Sequence, residues 1–235
     1  MNATKKYNFI IIGANTSIAK KIYDEYNSKN NIVLLSRSDL NYDINKNNHL
    51  FIKIDLTKNI DNILSLISNT NELIIFDCSC ISNAFLDENI NMHNLSDLLN
   101  GDIINKFNFL NLLIYSKRSF TYVVFNSILS KIPKKGKKYY GIIKYLYIET
   151  LYNAWALHKE YFNLYEISIN KKIKNTDGWN LIFNEIKKCN IGNYPGGYVK
   201  IDYGFNSKIL IFIYNISPFI FQLAFYIKNK FNKNY

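Results

Sequence analysis

Short, continuous apolar runs alternate with stretches of helical period as far as Ile169, and this alternation most constrains the fold. The runs are Tyr7–Ile12, Asn31–Leu35, Leu50–Ile54, Glu72–Phe76, Phe120–Phe125 and Leu164–Ile169. Between them, Ser17–Tyr26 carries Ile18, Ile22 and Tyr26 on one helical stripe. Ile60–Ile67, Leu95–Tyr115 and Tyr139–Tyr161 also read as helices. Strands apolar throughout, separated by helices, predict a parallel sheet covered on both faces. Right-handed crossovers make this a doubly wound α/β domain. Ligands in such sheets bind beyond the carboxyl ends of the strands.

The chain has 235 residues, of which 48% are hydrophobic and 16% aromatic, enough for one sizeable core. That excludes a wholly disordered chain. We expect a single domain over residues 1–204 and an apolar, basic helical segment over 205–235. Three cysteines (Cys78, Cys80, Cys189) exclude a disulfide scaffold and suit a reducing cytoplasm. Cys78 and Cys80 lack zinc-ligand spacing, and His49, His93 and His158 are scattered, so no metal is expected. Met1–Lys6 is polar and Phe9–Ile12 is too short for a leader. The net charge of +11 admits nucleic acid, an anionic membrane or a phosphorylated ligand as partner. The lysines are spread along the chain, and the doubly wound reading leaves no groove-binding module, so nucleic acid is not expected.

The strand ends carry the chemistry. After the first comes Gly13-Ala-Asn-Thr-Ser-Ile-Ala19. Gly13 permits a tight turn, and the N–H groups of Asn15, Thr16, Ser17 and Ile18 can cradle a pyrophosphate at a helix start. The second strand ends Leu35-Ser36-Arg37. A base here, where NAD-selective folds put an acid, suits a ribose 2′-phosphate and favours NADP(H). The third ends Ile54-Asp55-Leu56-Thr57, with Asp55 set to face an adenine edge. The fourth ends Asp77-Cys78-Ser79-Cys80, small residues that let a cofactor lie close. Ser127 follows the fifth strand, with Tyr140 thirteen positions on and Lys144 four beyond that. Positions i and i+4 share a helix face. An ammonium there favours the phenolate, so Tyr140 can pass a proton to or from a carbonyl oxygen that Ser127 also bonds.

On these motifs the chain resembles the short-chain dehydrogenase/reductase family, of the short single-domain, Rossmann-like type. The resemblance runs from about Tyr7 to Ile169. It implies Tyr140 as general acid/base, Lys144 as ligand of the nicotinamide ribose, and Ser127 as the group that orients the substrate carbonyl. It also implies an Asn in a proton relay, best matched by Asn105, with Asn100 as rival. There are departures. Ser17 and Ala19 replace the second and third loop glycines, and Ile12 stands where a Thr is common. No Pro-Gly follows the sixth strand, where Asn170–Thr176 lies, and Thr176 is the candidate to touch the nicotinamide amide.

Lys131, Lys134, Lys135, Lys137 and Lys138 precede Tyr140, either as a solvated loop or at the mouth of the site. Gly192–Gly204 reads as a loop. Ile209–Ile227 is almost uncharged and precedes Lys228, Lys230 and Lys233. It suits a pocket cap, a subunit interface or a helix at an anionic membrane face. The expected protein is cytoplasmic and a homodimer or homotetramer, with contact to the inner membrane face as one of the alternatives for that segment. Its expected activity is NADPH-dependent transfer of hydride to a carbonyl, or the reverse transfer from an alcohol. By analogy with family members that have such tails, the substrate would be a sugar or polyol precursor of surface polysaccharide, phosphorylated or lipid-linked. Alternatives are nucleotide-sugar epimerase or dehydratase chemistry, and a non-catalytic NADP(H)-sensing protein.

Overall fold

The structure, a computed structural model, describes residues 7–45, 47–54, 61–66, 73–79, 99–127, 138–169, 176–188 and 197–203. In chain order the elements are β1 (Phe9–Ile12), α1 (Ser17–Tyr26), β2 (Ile32–Ser36), β3 (His49–Lys53), α2 (Asp61–Leu66) and β4 (Leu73–Asp77). There follow α3 (Asn105–Tyr115), β5 (Phe120–Ser127), α4 (Lys138–Leu157), β6 (Phe162–Ile169), α5 (Thr176–Lys188) and β7 (Tyr198–Tyr203). A π-helical turn, Asn100–Ile104, runs directly into α3.

All seven strands lie parallel in one sheet, in the order β3-β2-β1-β4-β5-β6-β7. β1 and β4 are buried at every position because helices cover both faces. Alternate residues of each strand feed two cores. Ile10, Ile12, Val33, Leu35, Val124 and Leu164 meet Phe109 and Leu113 of α3 and Leu151 of α4. On the other face Ile11, Leu34, Phe76, Val123 and Ile167 meet Ile22 of α1 and Trp179, Ile182 and Phe183 of α5. This is the doubly wound α/β architecture. Chain direction across the sheet reverses between β1 and β4, so their carboxyl ends flank the crevice where such sheets take ligands.

Three readings change. The stretch read as a loop over Gly192–Gly204 contains β7, which pairs with β6 from Leu164 opposite Tyr198 to Ile169 opposite Tyr203. Val199 and Ile201 alternate with Lys200 and Asp202, the period of a half-covered edge strand, and the flanking glycines obscured it. α5 was not anticipated, although Trp179, Ile182, Phe183 and Ile186 recur at spacings of 3, 4 and 7. β5 extends through Ser127, which is thus its last residue and not the one after it. Residues 95–98, Lys131, Lys134, Lys135, Lys137 and the segment 205–235 lie outside the described residues.

Candidate functional site

The turn after β1 is pinned from two sides. Gly13 and Ala14 N–H donate to Leu35 O of β2 at 2.9 and 3.0 Å, and Cys78 N–H donates to Ile12 O at 2.9 Å. Gly13 has φ +74°, and a Cβ there would lie 2.5 Å from Ser79 Cα. Only glycine satisfies both the left-handed backbone and this close approach. Thr16 caps α1, its Oγ1 accepting from Ala19 N–H at 3.2 Å. Helix geometry leaves the first-turn N–H groups of Ser17 and Ile18 without intrahelical partners, facing the crevice end. Asn15 spans from this loop to the end of β2: its Nδ2 donates to Ser38 Oγ at 3.1 Å and its Oδ1 accepts from Asn41 N–H at 3.1 Å. Tyr42 OH donates to Ala14 O at 2.9 Å. Arg37 is exposed beside the buried Ser36.

The end of β4 holds a cluster of buried charge. Asp77 is 1% exposed, Lys106 3% and Lys144 4%. Lys106 Nζ lies 3.3 Å from Asp77 Oδ2 and 4.4 Å from the Tyr147 ring centroid. Asp77 Oδ2 also accepts from Tyr147 OH, which lies 2.9 Å from Tyr122 OH. Its Oδ1 accepts from Ser79 N–H at 3.0 Å and from Ser79 Oγ. Lys144 Nζ donates to Ser79 O at 3.1 Å. Burial pushes the Asp77 carboxyl up, but Lys106, Lys144 and the bonds from Ser79 and Tyr147 outweigh burial and hold it below its ordinary value. Burial, then the Asp77 anion, drive the Tyr147 and Tyr122 phenols well above theirs. At neutral pH the cluster therefore holds one carboxylate and two protonated phenols.

Of the residues expected at the site, Gly13, Asn15, Thr16, Ser17, Ile18, Cys78, Ser79 and Lys144 gather at the crevice, and Arg37 stands on its β2 side. Cys78 is buried and in no disulfide among the described residues, as its apolar surroundings predict. The Tyr140 backbone lies in the first turn of α4, one turn before Lys144. Asn105 and Asn100 bracket the π turn, where Asn105 N–H donates to Asn100 O. Asn100 is exposed, whereas Asn105 Nδ2 is buried with no hydrogen-bond partner among the described residues. Thr176 begins α5. Asp55 and Leu56 lie outside the described residues. No group of metal-ligating side chains occurs among the described residues, and none of their helices is long and apolar enough to cross a membrane.

Sequence reasoning missed the Asp77–Lys106 pair. A signal was present: Lys106 precedes Leu110 and Leu113 at spacings of 4 and 7, on the buried stripe of α3. A lysine there needs a buried anion, and Asp77 is the acid at the end of an otherwise apolar strand.

The crevice fits a dinucleotide. Gly13 lets the loop after β1 close onto Ser79, helix geometry leaves the first-turn N–H groups of α1 without intrahelical partners there, and the Lys144 ammonium is held on the carbonyl of the same Ser79. No family profile and no curated protein sequence matches the chain. Solved structures do. A short-chain dehydrogenase from Burkholderia cenocepacia in complex with NADP superposes with TM-score 0.65 at 10% identity, covering 96% of this chain and 98% of that one. A short-chain dehydrogenase/reductase from Vibrio parahaemolyticus gives 0.63 at 15%, covering 83% and 99%. A short-chain dehydrogenase from Leptospira borgpetersenii with bound NAD+ gives 0.61 at 16%, covering 86% and 93%. With its parallel seven-stranded sheet and its crevice between β1 and β4, the chain has the fold of the short-chain dehydrogenases and reductases.

Proposed function

We propose that the chain is an NADPH-dependent reductase that delivers hydride to a carbonyl. The observation that carries this reading is Lys144, a buried ammonium held at the β4 end of the crevice one helical turn after Tyr140. Bound NADPH would supply the hydride. Tyr140 donates the proton to the carbonyl oxygen, Ser127 bonds that oxygen, and Lys144 holds the nicotinamide ribose and favours the phenolate of Tyr140. Asn105, at the π turn beside Lys106, belongs to the proton path. Gly13, Asn15, Ser17 and Ile18 hold the pyrophosphate. Arg37 takes the ribose 2′-phosphate, a reading supported by its exposure among the hydroxyls of Ser36 and Ser38. A sugar or polyol precursor, phosphorylated or lipid-linked, fits the net charge of +11.

Thermal melts with each cofactor provide the test. NADPH at about a hundredfold excess over its dissociation constant adds about 2.7 kcal/mol of stability. We expect a clear rise in melting temperature with NADPH and a smaller one with NADH. Arg37→Ala should erase the difference. Tyr140→Phe should keep the NADPH shift and lose turnover of ketoses. Turnover retained in Tyr140→Phe would falsify the mechanism, and equal shifts with both cofactors would remove the NADP assignment. Binding without oxidation across a ketose panel would identify a sensor.

A further inference from the structure

The buried cluster at the end of β4 contains an acid and a second lysine that the proposed chemistry does not use. We propose that Asp77, paired with Lys106, is a positioning residue for Lys144. Three observations carry this. Asp77 Oδ1 takes both the N–H and the hydroxyl of Ser79, which fixes the turn leaving β4. The carbonyl of that same Ser79 receives Lys144 Nζ at 3.1 Å. Asp77 Oδ2 meanwhile engages Lys106 at 3.3 Å. One carboxylate thus stands between two ammonium groups on different helices and shapes the acceptor of one of them.

The cluster is not a proton wire. The groups facing Asp77 are Lys106 from α3, Lys144 and Tyr147 from α4, Tyr122 from β5 and Ser79 from its own turn. Burial and the Asp77 anion keep both phenols protonated, and the two ammonium groups keep Asp77 ionised. The carboxylate and the two phenols keep their protonation near neutral pH, so what they supply is fixed charge and fixed geometry. Lys106 sets how strongly Asp77 draws on Lys144. With Lys106 present the anion is shared, and without it Lys144 is the one ammonium of the described residues beside Asp77.

The test has one arm independent of cofactor and turnover. The full chain is acetylated under limiting acetic anhydride, and the rate at each lysine is read by mass spectrometry against exposed Lys21. In the double variant Asp77→Leu/Lys106→Met no charge of the pair is stranded. We expect Lys144 to label several-fold faster than in wild type. Asp77→Asn/Lys106→Met keeps an acceptor for Ser79 N–H and should return the rate toward wild type. Lys106→Met alone should slow Lys144 labelling below wild type, the opposite of what a loosened core would give. An unchanged Lys144 rate in the folded leucine double variant, or a faster one in Lys106→Met whose circular dichroism and melt show the native fold, overturns the proposal.

The second arm rests on Lys144 acting on Tyr140 as proposed above. In the leucine double variant the basic limb of the kcat profile should move to higher pH and the NADPH dissociation constant should rise. A wild-type chain that neither binds NADPH nor turns over overturns the functional reading alone, and labelling still decides the positioning.

Discussion

At the residue scale, two features of the site follow from what neighbouring atoms permit. Gly13 is held at positive φ with Ser79 Cα in the space of its missing side chain. Gly13→Ala should cost at least about 1–3 kcal/mol from backbone strain alone, with the clash added. Chemical denaturation measures the loss, and it should come with loss of dinucleotide binding. Asp77 and Lys106 form a pair that tolerates joint but not single removal. Lys106→Met should cost about 3–5 kcal/mol by leaving a buried carboxylate without its nearest cation. Adding Asp77→Asn should restore much of that, a coupling read from a double-mutant cycle. The pH sign follows from the lowered Asp77 carboxyl. Its contribution is fully present above the unfolded value of 3.8 and is lost as pH falls through the lower folded value. Below pH 3.8 wild type should therefore lose stability faster than Asp77→Asn/Lys106→Met. Gly13 was legible in the sequence as a turn residue. Its contact with Ser79 was not, because sixty-six positions separate the two.

At the element scale, the helix ends decide where side chains arrive. α1 begins at Ser17 because Thr16 offers its hydroxyl as cap, so the loop reaches the crevice with helix N–H groups leading. The π turn before α3 displaces Asn105 against the regular i−4 pattern. It brings Lys106 inward to Asp77, and such bulges are frequent at functional sites. Beyond α3, Lys117 sits at φ +52°, where its N–H bonds Ile114 O at 2.9 Å. Glycine is favoured at such a helix end. Lys117→Gly should raise stability by about 1 kcal/mol, and the melting temperature by about 2–4 °C. A lower melting temperature would mean that the lysine stem packs usefully there. The helical and strand periods predicted most elements to within a few residues. The π turn has no period of its own to read, and β7 was hidden by its flanking glycines.

At the scale of the whole molecule, the outer face of α4 is the most apolar exposed surface among its described helices. Ile142, Tyr145, Leu146, Tyr152 and Leu157 are all exposed along it, with Ile104 nearby. The homodimer or homotetramer expected from the sequence would cover this face. Leu146→Glu should then shift the sedimentation coefficient toward that of a monomer while leaving the melt of the isolated chain close to wild type. A wild-type chain that already sediments as a monomer ends that reading. The sequence by itself determined the layered α/β architecture, the turn at Gly13, and the helix that carries Tyr140 and Lys144. These follow from local period, β-branching and backbone freedom, which act between near neighbours. Tertiary structure alone decided which strand ends meet, that β7 joins the sheet, and that Asp77 and Lys106 neutralise each other in the core. Those outcomes depend on burial, which removes charges from water and makes a partner from a distant part of the chain obligatory.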